Sequence, residues 1–168
     1  MTQRDLAFKW SLYGIGSLGL LLLQQFVLIR IDFLDVHPFV LPLLAITAAT
    51  LENPQQAAAY SLILGACCDL FFSPVFPFFY TLVFFLSAVI CALIAGHLIA
   101  AKFSCCLLNG ALSLLLAGFL QALPQLYNNT ATLLTAGNLI LREILVSLPL
   151  LPLIYLLFLQ IHRKTSWD

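Results

Sequence analysis

Six long apolar stretches follow one another along this chain, separated only by short polar breaks, and together they use up almost all of its 168 residues. A helix needs roughly 20 apolar residues to cross a bilayer. Little is left for a water-facing domain. Charged residues make up only 8% of the chain, against roughly 25% in a soluble domain, so this sequence cannot clothe an aqueous surface. The expectation is an all-α membrane protein: residues 1–168 form one domain, a bundle of six transmembrane helices joined by short loops.

The predicted spans run from Phe8 to Ile29, Pro38 to Leu51, Ala57 to Phe72, Phe78 to Ala100, Phe103 to Leu126 and Gly137 to Gln160. The second is too short for a full crossing, since 14 residues rise only about 21 Å. Pro38 and Pro42 suit a helix start, or at Pro42 a kink. Segments two and three are therefore expected to be short, tilted or irregular. Glu52-Asn53-Pro54-Gln55-Gln56 breaks them apart, with Glu52 read as solvated. Ser73-Pro74-Val75-Phe76-Pro77 forms an uncharged turn, and Tyr127 to Thr132 a polar loop.

An even number of crossings places Arg4, Lys9, Lys102, Arg163 and Lys164 on one side and Arg30 and Arg142 on the other. The positive-inside rule then predicts cytoplasmic N- and C-termini. The first run is too long for a signal-peptide core and lacks a cleavage site before Arg30, so it reads as a retained helix. Zero formal net charge with no basic run gives nucleic-acid binding no electrostatic support. The five cysteines lie in apolar runs without CxxC spacing and read as small apolar filler. His37, His97 and His162 are scattered, so neither a metal site nor a cofactor is expected.

Few polar residues remain to carry function. Asp69 lies one turn from the end of the third segment, where an acid must be paired, protonated or wet. Ala57, Ser61 and Gly65 recur every four residues on that segment. Such a small-residue stripe lets another helix approach closely, and Asp69 falls on the same stripe. The first helix is also thin on one side, at Ala7, Ser11 and Gly14. Arg142 and Glu143 sit near the start of the last span. Asp69 and Arg142 are predicted at similar shallow depth, which makes an ion pair between the third and sixth helices the sharpest structural expectation.

The Gly65-x-x-x-Asp69 element, the proline-started short second segment, six spans in this length and Arg142-Glu143 opening the last helix together resemble the rod shape-determining protein MreD family. The resemblance covers nearly the whole chain, by layout more than by motif. After the acid that family carries a glycine-containing turn; here the turn ending at Pro77 stands instead. The resemblance implies a non-enzymatic subunit of the bacterial cell-elongation machinery in the plasma membrane. Its implied partners are an MreC-like bitopic scaffold, a RodA-like glycosyltransferase and a class B penicillin-binding protein, and its fold is similar to that of substrate-binding subunits of energy-coupling-factor transporters. Such a vitamin-binding subunit is the alternative reading, and needs a pocket of convergent polar groups. A membrane-embedded aspartyl enzyme would need a second carboxylate deep beside Asp69, and the sequence offers only Glu143.

Overall fold

The computed structural model describes residues 3–30, 36–72, 76–97, 102–128 and 132–165. Asp32, Asp35, the first three residues of the turn at 73–75, and Asn129 and Thr130 lie outside them. The elements are α1 (Gln3–Phe26) with a short 3-10 turn (Leu28–Arg30), α2 (Leu41–Leu51), α3 (Pro54–Phe71), α4 (Phe79–His97), α5 (Lys102–Tyr127), α6 (Leu133–Ser147), a second 3-10 turn (Leu148–Leu150) and α7 (Leu151–Thr165). This is an all-α membrane bundle. Its outer surface is apolar: Leu70, Leu133, Leu134 and Ile15 are each at least 70% exposed, an arrangement only lipid solvates well.

At the centre lies α2, a helix of 11 residues that rises only about 16 Å. Every one of its residues except Thr50 is buried, against α3, α4, α5, α7 and α1. A helix apolar on all sides is stable only when enclosed in this way. Its shortness agrees with the sequence; its regularity does not fit the alternative of an irregular segment. Pro42 stands in the first turn of α2, where its missing N–H would have no helical partner anyway, so it starts the helix and does not kink it. α3 is likewise continuous, with Pro54 in its first turn after Asn53.

The last traverse differs more. Thr132 accepts a hydrogen bond from the Thr135 N–H and starts α6 about a turn before the expected Gly137. Such a cap satisfies an N–H that the helix cannot. Farther on, Pro149 and Pro152 interrupt the ladder, and the span passes through Leu148–Leu150 as a 3-10 turn before resuming as α7. Each proline removes one backbone donor and crowds the preceding turn. Ser147, at the break, accepts a hydrogen bond from the Phe39 N–H at 2.8 Å, tying the bend to the entrance of α2. Cys68, Cys91, Cys105 and Cys106 are buried free thiols within the helical packing.

Candidate functional site

Polar and open features distinguish this bundle from a plain apolar one, and four of them bear on function. The first is the seam between α3 and α4, the most extensive interhelical contact in the molecule. Ala57, Ser61 and Gly65 are all buried on the α3 side. A Cβ on Gly65 would lie 2.4 Å from Thr81 Cα and 2.9 Å from the Tyr80 carbonyl oxygen. Only glycine permits this backbone-to-backbone approach, so the stripe serves internal packing.

One turn farther along the stripe, Asp69 meets the start of α4. Its Oδ1 accepts from the Tyr80 N–H at 2.9 Å, and its Oδ2 from the Thr81 N–H at 3.1 Å and hydroxyl at 2.6 Å. The first N–H groups of a helix have no partner within it, and its N-terminus carries partial positive charge. Asp69 therefore caps α4 from a neighbouring helix. Phe78, just before α4, has an apolar side chain that cannot do so. The expected ion pair is corrected here: among the described residues the partners of Asp69 are Tyr80 and Thr81 at the start of α4, and not Arg142. The turn itself closes with the Phe79 N–H on the Phe76 carbonyl at 3.2 Å. Pro77 occupies its second position and Phe78 its third, with a φ of 62°. That left-handed position usually takes glycine.

The second feature was missed in the sequence. Glu52, read as solvated, has a side chain only 3% exposed. Lys9 Nζ reaches its Oε2 at 2.5 Å, while the Tyr13 hydroxyl donates to Oε1 at 2.9 Å and His162 Nδ1 lies 2.8 Å from the same oxygen. A carboxylate only accepts, so Nδ1 must carry the proton. Burial pushes the Glu52 carboxyl up, but the hydrogen bonds from Lys9, His162 and Tyr13 outweigh it and hold it below the ordinary value. This cluster ties α1, the α2–α3 turn and α7 together. Its signal was present: the alternating traverses put Lys9, Glu52 and His162 at one end of the bundle.

The third feature is a lateral groove between α1 and α3, about 520 Å³ in volume and lined by Gly14, Leu18, Leu22, Ile63, Leu64 and Phe71 among others. Trp10 closes one end, packed on Tyr13 and Tyr60 with ring centroids 5.6 and 6.1 Å away. There the Tyr60 hydroxyl donates to Ser17 Oγ at 3.0 Å, and Ser17 donates in turn to the Tyr13 carbonyl. This short bridge spans the groove; beyond it the two helices stand apart. The opposite face of α1 packs on α7, where Gly16 faces Leu157 and Ile161.

The fourth is a cavity of about 370 Å³ at the opposite end from Glu52, lined by Gln24, His37, Phe39, Phe72, Tyr80, Gln121 and Glu143 among others. Gln24 is itself structural: its amide donates to the Pro38 carbonyl at 2.8 Å and accepts from the Val40 N–H at 3.1 Å, holding α1 to the start of α2. Glu143 thus faces a cavity, whereas Arg142 next to it lies half-buried on α6, about 100° around the helix. Among the described residues, no group of three His, Cys, Asp or Glu side chains could hold a metal ion. A scan against protein-family models, a search of curated proteins and a search of solved structures each return no match for this chain.

Proposed function

We propose that this protein is a non-enzymatic, multi-pass subunit of the bacterial cell-elongation machinery, one that works by holding the transmembrane helix of an MreC-like scaffold. The observation that carries this reading is the groove between α1 and α3. It opens sideways, its lining is almost wholly apolar, and Gly14 offers a low floor with no atom within 4 Å of where a Cβ would stand. Helix association in lipid depends on such close, shape-matched approach. The membrane is the bacterial plasma membrane, and the end bearing Lys9, His162, Arg163 and Lys164 faces the cytoplasm by the positive-inside rule. A RodA-like glycosyltransferase and a class B penicillin-binding protein are then indirect partners. Asp69 and Glu52 are held by structural donors, which fits a scaffold role.

Depletion in a rod-shaped host should give rounded or swollen cells. Photo-crosslinkers placed at Leu18 and Ile63 should join the scaffold's transmembrane helix, while one at Leu153, 64% exposed on α7, should not. Equal labelling from all three positions removes the docking reading, and cells that stay rod-shaped remove the elongation reading. The cavity beside Glu143 favours one second reading, a substrate-binding subunit of an energy-coupling-factor vitamin transporter. Thermal shifts with a vitamin panel test it.

A further inference from the structure

We propose that the cavity lined by Glu143 is a binding site for an organic ammonium ion. The inference is independent of the elongation reading. Phe39 and Phe72 stand 6.0 and 5.9 Å from Tyr80, centroid to centroid, so three aromatic rings are grouped along one part of the lining. Aromatic faces carry negative quadrupole charge and attract cations within about 6 Å. Glu143 is the one carboxylate among the described lining residues. It has no hydrogen-bond partner among the described residues. Gln121 adds an amide to the same lining, which among the described residues includes no Lys or Arg.

Three rings and one acid select for a ligand that is positively charged yet tolerates apolar contact. A metal ion does not fit, because hard divalent cations gather about six or more oxygen ligands. An anion would meet the Glu143 carboxylate directly. The cavity of about 370 Å³ falls within the roughly 300–1,000 Å³ typical of small-ligand sites. An ammonium group can come from a free amine or from a lipid headgroup such as phosphatidylethanolamine; the chemistry at Glu143 is the same.

The test uses the full chain in nanodiscs of phosphatidylglycerol alone, titrated with ethanolamine and with choline while thermal unfolding is followed. In parallel, native mass spectrometry reads lipid retained from mixed phosphatidylethanolamine and phosphatidylglycerol. Concentration-dependent stabilisation by a soluble amine identifies a free-amine site, and selective retention of phosphatidylethanolamine identifies a headgroup site. In whichever arm binds, Glu143→Gln should weaken binding about tenfold, as expected when the bound cation loses its opposite charge. Phe39→Leu, which leaves the charge in place, should weaken it about fivefold and keeps the proposal testable if Glu143→Gln fails to fold. No binding in either arm overturns the proposal. So does binding that survives both substitutions unchanged.

Discussion

Gly65 and Gly14 sit on the two sides of the same helix, α3, one within it and one facing it from α1, and they have opposite consequences. At Gly65 the α4 backbone lies so close that no side chain fits; at Gly14 nothing lies within 4 Å. The α3–α4 side is sealed by small residues and then capped by Asp69. The α1–α3 side is bridged only by Tyr60 and Ser17 and otherwise left open. Small residues thus mark either a contact already made within the chain or one available to something else. Sequence spacing alone does not say which.

The most direct test of this contrast is Gly65→Val. Its methyl groups would meet the backbone of Thr81 and Tyr80, which cannot rotate aside as a side chain can. Overpacking typically costs about 1–3 kcal/mol and occasionally more, and a backbone neighbour belongs at the upper end. Little folded protein should be recovered in detergent, and size-exclusion chromatography reads this directly. A normal yield with a wild-type melting temperature would mean that the seam is not tight.

α1 is held by its ends and by α7, with little support from α3. Glu52→Ala should therefore act strongly, since removing one partner of a buried ion pair costs about 3–5 kcal/mol. It would leave Lys9 buried at 5% exposure without its counter-charge. Acid should do the same gradually. The Glu52 carboxyl titrates below its ordinary value of 4.5 when folded, so its contribution is complete above that pH and is lost as pH falls through the lower folded value. A melting temperature that is level from neutral pH to about 4.5 and then drops, with the drop reduced in Glu52→Gln, is the expected profile. A variant with the same acid limb as the wild type would assign that limb to other carboxylates.

Asp69→Ala tests the sealed side more gently. It leaves the Tyr80 and Thr81 N–H groups at the start of α4 without acceptors, and capping losses of this kind cost about 1–2 kcal/mol. Asp69→Asn keeps an acceptor and should recover about half of that. Arg142→Ala should add its effect independently, because the two residues do not act as one unit. Non-additive melting temperatures would restore the coupling expected from depth.

How much of this was legible follows from what kind of signal each feature leaves. Hydrophobic run length and proline breaks gave the helices and the short α2, because lipid imposes length directly. The stripe Ala57, Ser61, Gly65, Asp69 is visible as spacing, which predicts a close helix approach without naming the helix. The recipient of Asp69 was not, since a helix N-terminus has no side-chain signature; depth along the membrane suggested Arg142 instead. Glu52 was misread because a carboxylate in a Pro-Gln-rich break resembles a solvated loop. Only the meeting of three elements that are far apart in the sequence shows that it is buried. Pro149 and Pro152 are the sequence signal for the break between α6 and α7.

The smallest expected effect is the most informative about the open side. Gly14→Ala places a methyl group in the groove, where no described atom lies within 4 Å, so the isolated protein should lose nothing. Alanine is favoured over glycine inside a helix by about 0.8–1.0 kcal/mol, so the melting temperature should rise slightly. The same methyl group would stand where a docked helix must approach. Crosslinking from Ile63 to the scaffold should therefore fall although the protein itself is more stable, and Gly14→Leu should deepen the loss. Stability and association would then move in opposite directions on one substitution, which a purely structural glycine cannot produce. If both variants crosslink as the wild type does, the groove is lipid-filled and the scaffold sits elsewhere on the bundle.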